Sequence, residues 1–214
     1  MIKIKVVAVG IAALILSTVS MAESQSEAVE YLQKQWAIDN YQLTEKAQKE
    51  GFEALIEQAD QKISEYPGSA ELYIWRGIIK STYAGAKGGL GALKYAKSAK
   101  ADLEKALELD ADALQGSAYT SLGSLYFNVP GWPIGFGDDD KAEALLKKAL
   151  LINPEGIDSN YFYGDYLRSE KRYAEAKGYM EKALQAKPRK GRPLADNGRR
   201  NEIRQALLDI EKRL

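Results

Sequence analysis

The chain is predicted to be all-α, a stack of antiparallel helix pairs ending in one C-terminal capping helix. Two observations carry that prediction. After the first 22 residues, apolar side chains recur at three and four spacing through most of the chain, the period of a helix with one buried face. A pattern of small residues and proline also repeats. Its clearest copy has Pro154, Gly164, Ala176, Ala183 and Pro188 at offsets of 10, 12, 7 and 5 residues. The glycine and the two alanines let antiparallel helices approach closely, and Pro188 cannot continue the second helix.

The elements follow in order. Lys3 and Lys5, the apolar run Val6 to Leu16 and the small residues Ser20-Met21-Ala22 read as a secretory signal peptide over 1–22, cleaved after Ala22. Eleven apolar residues are too few for a stable membrane anchor. The remaining 23–214 reads as one α-helical domain, with helix pairs over about 26–66, 70–110, 114–153 and 157–187. In the first pair, a helix from about Ser26 to Glu50 precedes one from about Gly51 to Tyr66, which ends at Pro67-Gly68. The second carries Tyr73-x2-Arg76-Gly77-x2-Lys80, then Ala99, Leu103 and Ala106. The third carries Tyr119-x2-Leu122-Gly123-x2-Tyr126, then Ala142, Leu146, Ala149 and Pro154. The fourth carries Asn160-x2-Tyr163-Gly164-x2-Leu167, then Ala176, Met180, Ala183 and Pro188. Over about 194–214, Ile203, Leu207, Leu208 and Ile210 among many charges make an amphipathic helix whose polar side can face water, as a terminal cap requires.

These residues resemble the tetratricopeptide repeat (TPR) family over about 67 to 188. Arg76 and Lys80 depart from the apolar residues expected at their positions. With its VPGWPIGFGD insertion the chain is similar to secreted bacterial TPR-like proteins. More distantly it is similar to TPR subunits associated with periplasmic solute transporters, which are usually lipid-anchored; this chain has no cysteine for that. The resemblance implies a TPR-like helical-hairpin solenoid that binds a protein partner and performs no chemistry. It also implies that the first helix of each unit lines a concave groove. The groove positions are Glu71, Ile74, Ile78, Ser81 and Thr82, then Ser117, Thr120, Ser124, Phe127 and Asn128, then Asp158, Tyr161, Asp165, Arg168 and Ser169. Tyr161, Phe127 and Arg168 are the main contact candidates, with Asp165 beside them. The Lys/Arg/Asn set with which some TPR grooves hold a peptide's terminal carboxylate is missing, so chaperone-type tail binding is not expected.

The three motif glycines lie 46 and 41 residues apart, where an uninterrupted array gives about 34. The excess falls between the two helices of a unit, where insertions map to loops. One insertion holds Gly85, Gly88, Gly89 and Gly91 with Lys87 and Lys94. It reads as a glycine-rich connection between helices or a contact loop; it lacks the Gly-Lys-Ser/Thr ending of a phosphate loop. The other runs from Val129 to Asp138 with two prolines, three glycines, Trp132 and Phe136. Its aromatics either anchor a partner or ligand, or fold back onto the helices. Asp138, Asp139 and Asp140 read as helix capping, without the alternating ligands of a calcium loop. The basic stretch Lys187 to Arg200 is either a solvated linker or a contact for an acidic surface.

Composition narrows the function. The chain has no histidine and no cysteine, which removes Ser-His-Asp and Cys-His machinery and the usual zinc ligands. No cofactor or metal is expected. Loss of Lys3 and Lys5 with the signal leaves 28 basic against 30 acidic residues, a net charge of −2 that gives no basis for nucleic-acid binding. No second long apolar segment follows the signal. The leading expectation is a periplasmic scaffold that binds a protein through its groove and the Trp132 loop. A small-molecule or transport accessory protein, its pocket closed by the 129–138 loop, is the alternative. Carboxylate chemistry through Asp138 or Asp165 with Glu155 is the third reading, and nothing in the sequence pairs those acids.

Overall fold

The computed structural model describes residues 25–214; the signal peptide expected over 1–22 lies outside them. Nine helices are formed among the described residues. They are α1 (25–41), α2 (Glu45–Glu65), α3 (Ala70–Lys87), α4 (Gly89–Leu109), α5 (Ala113–Asn128), α6 (Asp139–Ile152), α7 (Ile157–Ser169), α8 (Tyr173–Leu184) and α9 (Pro193–Glu211). The hairpin α3/α4 is followed by α5/α6 and α7/α8, and each hairpin packs on the next. This is an all-α helical-hairpin solenoid.

Three boundaries depart from expectation. The first pair turns at 42–44, not near residue 50, and α2 runs through Gly51. That glycine is a packing residue: a Cβ there would lie 2.9 Å from Asp39 Cγ on α1. The glycine-rich insertion over 85–91 is not a loop. Its ten extra residues lengthen two helices to 18 and 21 residues, against 13 and 12 in α7 and α8. The turn between them is Gly88, at φ 62°, which glycine adopts without a Cβ penalty. Finally, α5 begins with a left-handed turn at Leu114, Gln115 and Gly116, with φ 48°, 57° and 73°. The two non-glycine residues carry a strain of about 1–2 kcal/mol each.

The first helices of successive hairpins are neighbours: α3 packs on α5, α5 on α7 and α7 on α9. Trp36 of α1 meets Trp75 of α3 edge-on at 5.8 Å and donates its indole N–H to Thr82 Oγ1 at 3.0 Å. The remaining side is shut by α9. Its residues Leu194 and Ala195 join the core formed by α1, α2 and α3, and Gly198 lies so close to the Tyr41 ring that no Cβ would fit between them. The inner wall is therefore a ring, α1–α3–α5–α7–α9. The expected cap does more than end the stack: Ala195, Asp196, Arg199, Ile203, Ala206 and Ile210 are buried on it.

Arg76 and Lys80, the two residues out of pattern, share one buried acid from α4. Arg76 grips Asp102 through Nε at 2.9 Å and a terminal nitrogen at 2.5 Å, and Lys80 Nζ lies 2.8 Å from the same carboxylate. Removing one partner leaves charge buried and uncompensated. Asp102→Ala should therefore lose about 3–5 kcal/mol in urea unfolding.

The motif glycines fix how closely paired helices approach. A Cβ on Gly77 would lie 2.7 Å from Leu103 Cγ, and one on Gly123 would lie 2.6 Å from Leu146 Cγ; both leucines are fully buried. At Gly164 the nearest atoms are 3.3 Å away, on the Ala176 carbonyl and the adaptable Met180. Overpacking costs about 1–3 kcal/mol, and replacing a helical glycine by alanine returns about 1 kcal/mol. Gly77→Ala and Gly123→Ala should lower the unfolding midpoint, while Gly164→Ala leaves it near the parent value.

Candidate functional site

The ring encloses a groove of about 670 Å³. α3 lines it with Ile78, Ser81 and Thr82, α5 with Ser117, Thr120, Ser124 and Asn128, and α7 with Asp158. These eight were expected as groove positions. Trp36 and Trp75 form an apolar floor beside them, and Pro130 and Ile134 reach in from the 129–138 loop. The hydroxyl wall is held in place locally: Ser81 and Thr82 donate to the Ile78 carbonyl at 2.8 and 2.9 Å, and Ser117 to that of Leu114 at 2.7 Å.

The structure places the other candidates elsewhere. Phe127 packs edge-on against Tyr166 at 5.9 Å, toward the α5/α7 contact. Tyr161 lies under the Arg199 guanidinium at 4.3 Å. Arg168 joins Asp165 at 2.7 Å to Asp209 of α9 at 3.2 Å. Tyr161 and Arg168 line a second cleft, of about 600 Å³, with Tyr41 and α9. They serve the α7/α9 seam because α9 covers the face an open solenoid would present.

The loop divides its two aromatics. Phe136 folds back onto Tyr126 at 5.5 Å, with Lys100 Nζ over both rings at 6.0 and 5.8 Å. Ile134, 68% exposed, stands at the lip of the groove, and Trp132, two residues before it on the same loop, is 90% exposed. Asp138 caps α6, accepting the Lys141 backbone N–H at 3.0 Å. Asp138, Glu155 and Asp165 do not converge: each pairs with its own cation, Lys141 at 3.0 Å, Lys182 at 3.0 Å and Arg168 at 2.7 Å.

One end of the groove is charged. Asp158, in the first turn of α7, pairs with Arg189 and, at 2.9 Å, with Arg199 Nε. Arg189 also holds Asp196 at 2.6 Å, and Arg199 holds Glu202 at 2.5 Å. Burial alone would push the Asp158 carboxyl up, but Arg189, Arg199 and Arg192 outweigh it and hold it well below the usual carboxylate range. The stretch read as a solvated basic linker thus turns three arginines inward. Arg192 differs from its neighbours. Among the described residues it makes no ion pair; its guanidinium lies over the Trp75 ring at 5.1 Å. Its Nε and the Trp75 Nε1 are buried without acceptors. Burial, and then Arg189, push Arg192 down to about 10, so it remains charged at neutral pH.

The tetratricopeptide repeat family model matches residues 157–190. Among solved structures it is similar to a thermophilic TPR protein of Thermus thermophilus, with 17% identity, a TM-score of 0.56, and coverage of 86% of this chain and 99% of that one. That likeness shows a shared fold. A likeness to MamA, at 20% identity and a TM-score of 0.45 over 77% of this chain and 90% of that one, is too loose to carry an argument. No curated protein matches the chain. The TPR resemblance marked neither Trp75 nor Arg192, because one precedes a motif glycine inside a helix and the other follows the last repeat.

Asp158 makes the fold sensitive to acid. Its folded carboxyl gives up its proton more readily than in the unfolded chain, whose value is about 3.9. Its contribution is therefore fully present at neutral pH and is lost as pH falls below about 4 toward the folded value. Asp158→Asn should lower stability at neutral pH and flatten the acid limb of a stability-against-pH profile measured by chemical unfolding.

Proposed function

We propose that this protein is a periplasmic TPR-like scaffold that binds a segment of a partner protein in its inner groove, with Trp132 and Ile134 gripping the partner at the lip. The observation that carries this reading is the pairing of a preformed groove with two large apolar side chains held out into water beside it. Exposed aromatics on a constrained loop lose little entropy on binding and act as anchors. The fold supports the same reading, since stacked hairpins present an extended concave surface. The periplasmic assignment rests on the leader-like run over 1–22. Among the described residues no helix is long and apolar enough to cross a membrane.

A volume of about 670 Å³ also falls in the range of small-molecule sites, which favours the solute-binding reading second. An enzymatic reading is the weakest, because the acids that would carry it are on separate elements and engaged in separate ion pairs.

The Trp132 side chain contributes little to the fold. Trp132→Ala should leave thermal unfolding within about 0.5 kcal/mol of the parent, as for other surface changes. The same variant should lose most partner capture in affinity purification from the native host, and Ile134→Ala part of it. Full capture by the Trp132→Ala/Ile134→Ala double variant would refute the proposed lip.

A further inference from the structure

We infer that the groove contains a carboxylate-binding subsite formed by the guanidinium of Arg192 and the indole N–H of Trp75. This rests on reading the groove as a binding surface and specifies what its charged end recognises.

The fold commits two of the three inward arginines. Arg189 and Arg199 are bound to Asp158, Asp196 and Glu202, and those pairs join α9 and its entry to α7. Arg192 takes no part in them among the described residues; it lies over Trp75, on the groove wall. Two donors on these touching side chains, Arg192 Nε and Trp75 Nε1, are buried with no acceptor. A buried donor left unpaired costs about 1–3 kcal/mol, and more when charged. Both nitrogens are closed to solvent in the free protein, so a ligand oxygen reaches them only as the Arg192 guanidinium shifts on the Trp75 ring, and it would then satisfy both. The planar guanidinium fork matches a carboxylate, and Trp36 and Ile78 give an apolar surface for the body attached to it.

A single negative charge fits better than a double one. Asp158 and Asp196 lie near Arg192, and the three arginines there are balanced by three acids, Asp158, Asp196 and Glu202. A phosphate dianion would place two charges beside those carboxylates and a carboxylate only one, next to the one arginine of the three that holds no ion pair among the described residues. Arg192 immediately precedes α9 and Trp75 lies on α3; neither is a groove position that the repeat pattern assigns. Its carboxylate comes either from a free small acid or from an acidic group on the bound segment.

The test is titration of the full folded protein with phenylacetate, followed by calorimetry, with phenylacetamide as the uncharged counterpart. Saturable binding of phenylacetate is expected, with the amide at least about tenfold weaker, the size of one charged hydrogen bond. Arg192→Gln should abolish the preference for the acid while the protein stays folded, since Arg189 and Arg199 keep the ion pairs that join α9 to α7. Trp75→Phe, which keeps a ring and removes the donor, should weaken phenylacetate severalfold. Equal affinity for acid and amide, no saturable binding into the millimolar range, or unchanged binding by Arg192→Gln would overturn the subsite. Phenylacetate that displaces a captured partner places the carboxylate on the partner segment; phenylacetate that binds without displacement places it on a free acid. Failure of the Trp132→Ala/Ile134→Ala test would remove the scaffold reading and leave the titration standing.

Discussion

Asp158 ties the last wall of the inner ring to the repeats. It sits in the first turn of α7 and is gripped by Arg189, just before α9, and by Arg199 within α9. The cationic side chains that would otherwise point to solvent are drawn inward, and α9 is laid along α7 with its start against α1. Helix-terminal position helps: a carboxylate in the first turn of a helix faces the free N–H groups and the positive end of the dipole. Without this bracket, α9 would be seated by Ala195, Ile203, Ala206 and Ile210 alone, with Arg189 and Arg199 left without their shared acid. With it, α9 is held against α7, and the charged end of the groove is fixed before any ligand arrives.

The hairpin architecture was legible because it rests on side-chain size, which sequence reports directly. Gly77, Gly123 and Gly164 face Leu103, Leu146 and Met180, and the partner alanines Ala99, Ala142 and Ala176 are fully buried, as the repeat pattern requires. The eight hydroxyl, amide, apolar and acidic residues on the groove wall followed from the same register. What escaped depended on contacts between distant segments. Arg76 and Lys80 break the apolar pattern, and only the fold shows that Asp102, 26 and 22 residues on, receives both. Glycines at 88 and 89 suggested a loop, yet alanines and long side chains on either side let α3 and α4 continue to the turn itself. Tyr161 and Arg168 occupy groove positions by register and are covered by α9, whose path no repeat pattern specifies.

The two aromatics of the 129–138 loop show how local packing separates structural from available surface. Phe136 finds Tyr126 and the Lys100 ammonium and packs, partly buried, against a core cluster. Trp132, four residues earlier, finds nothing and stays in water. The proposed lip rests on this exposed side chain and on Ile134 beside the groove. The uncommitted Arg192 adds a second asymmetry of the same kind at the opposite, charged end.

The most direct measurement of the central claim is in-cell photocrosslinking from a photoreactive residue at Ser124, on the groove wall, compared with Leu151, which is 84% exposed and lies outside the groove. One discrete protein adduct is expected from Ser124, also formed from position 132, and none from Leu151. Adducts formed equally from Leu151, or formed there and not from Ser124, would contradict a groove-bound partner.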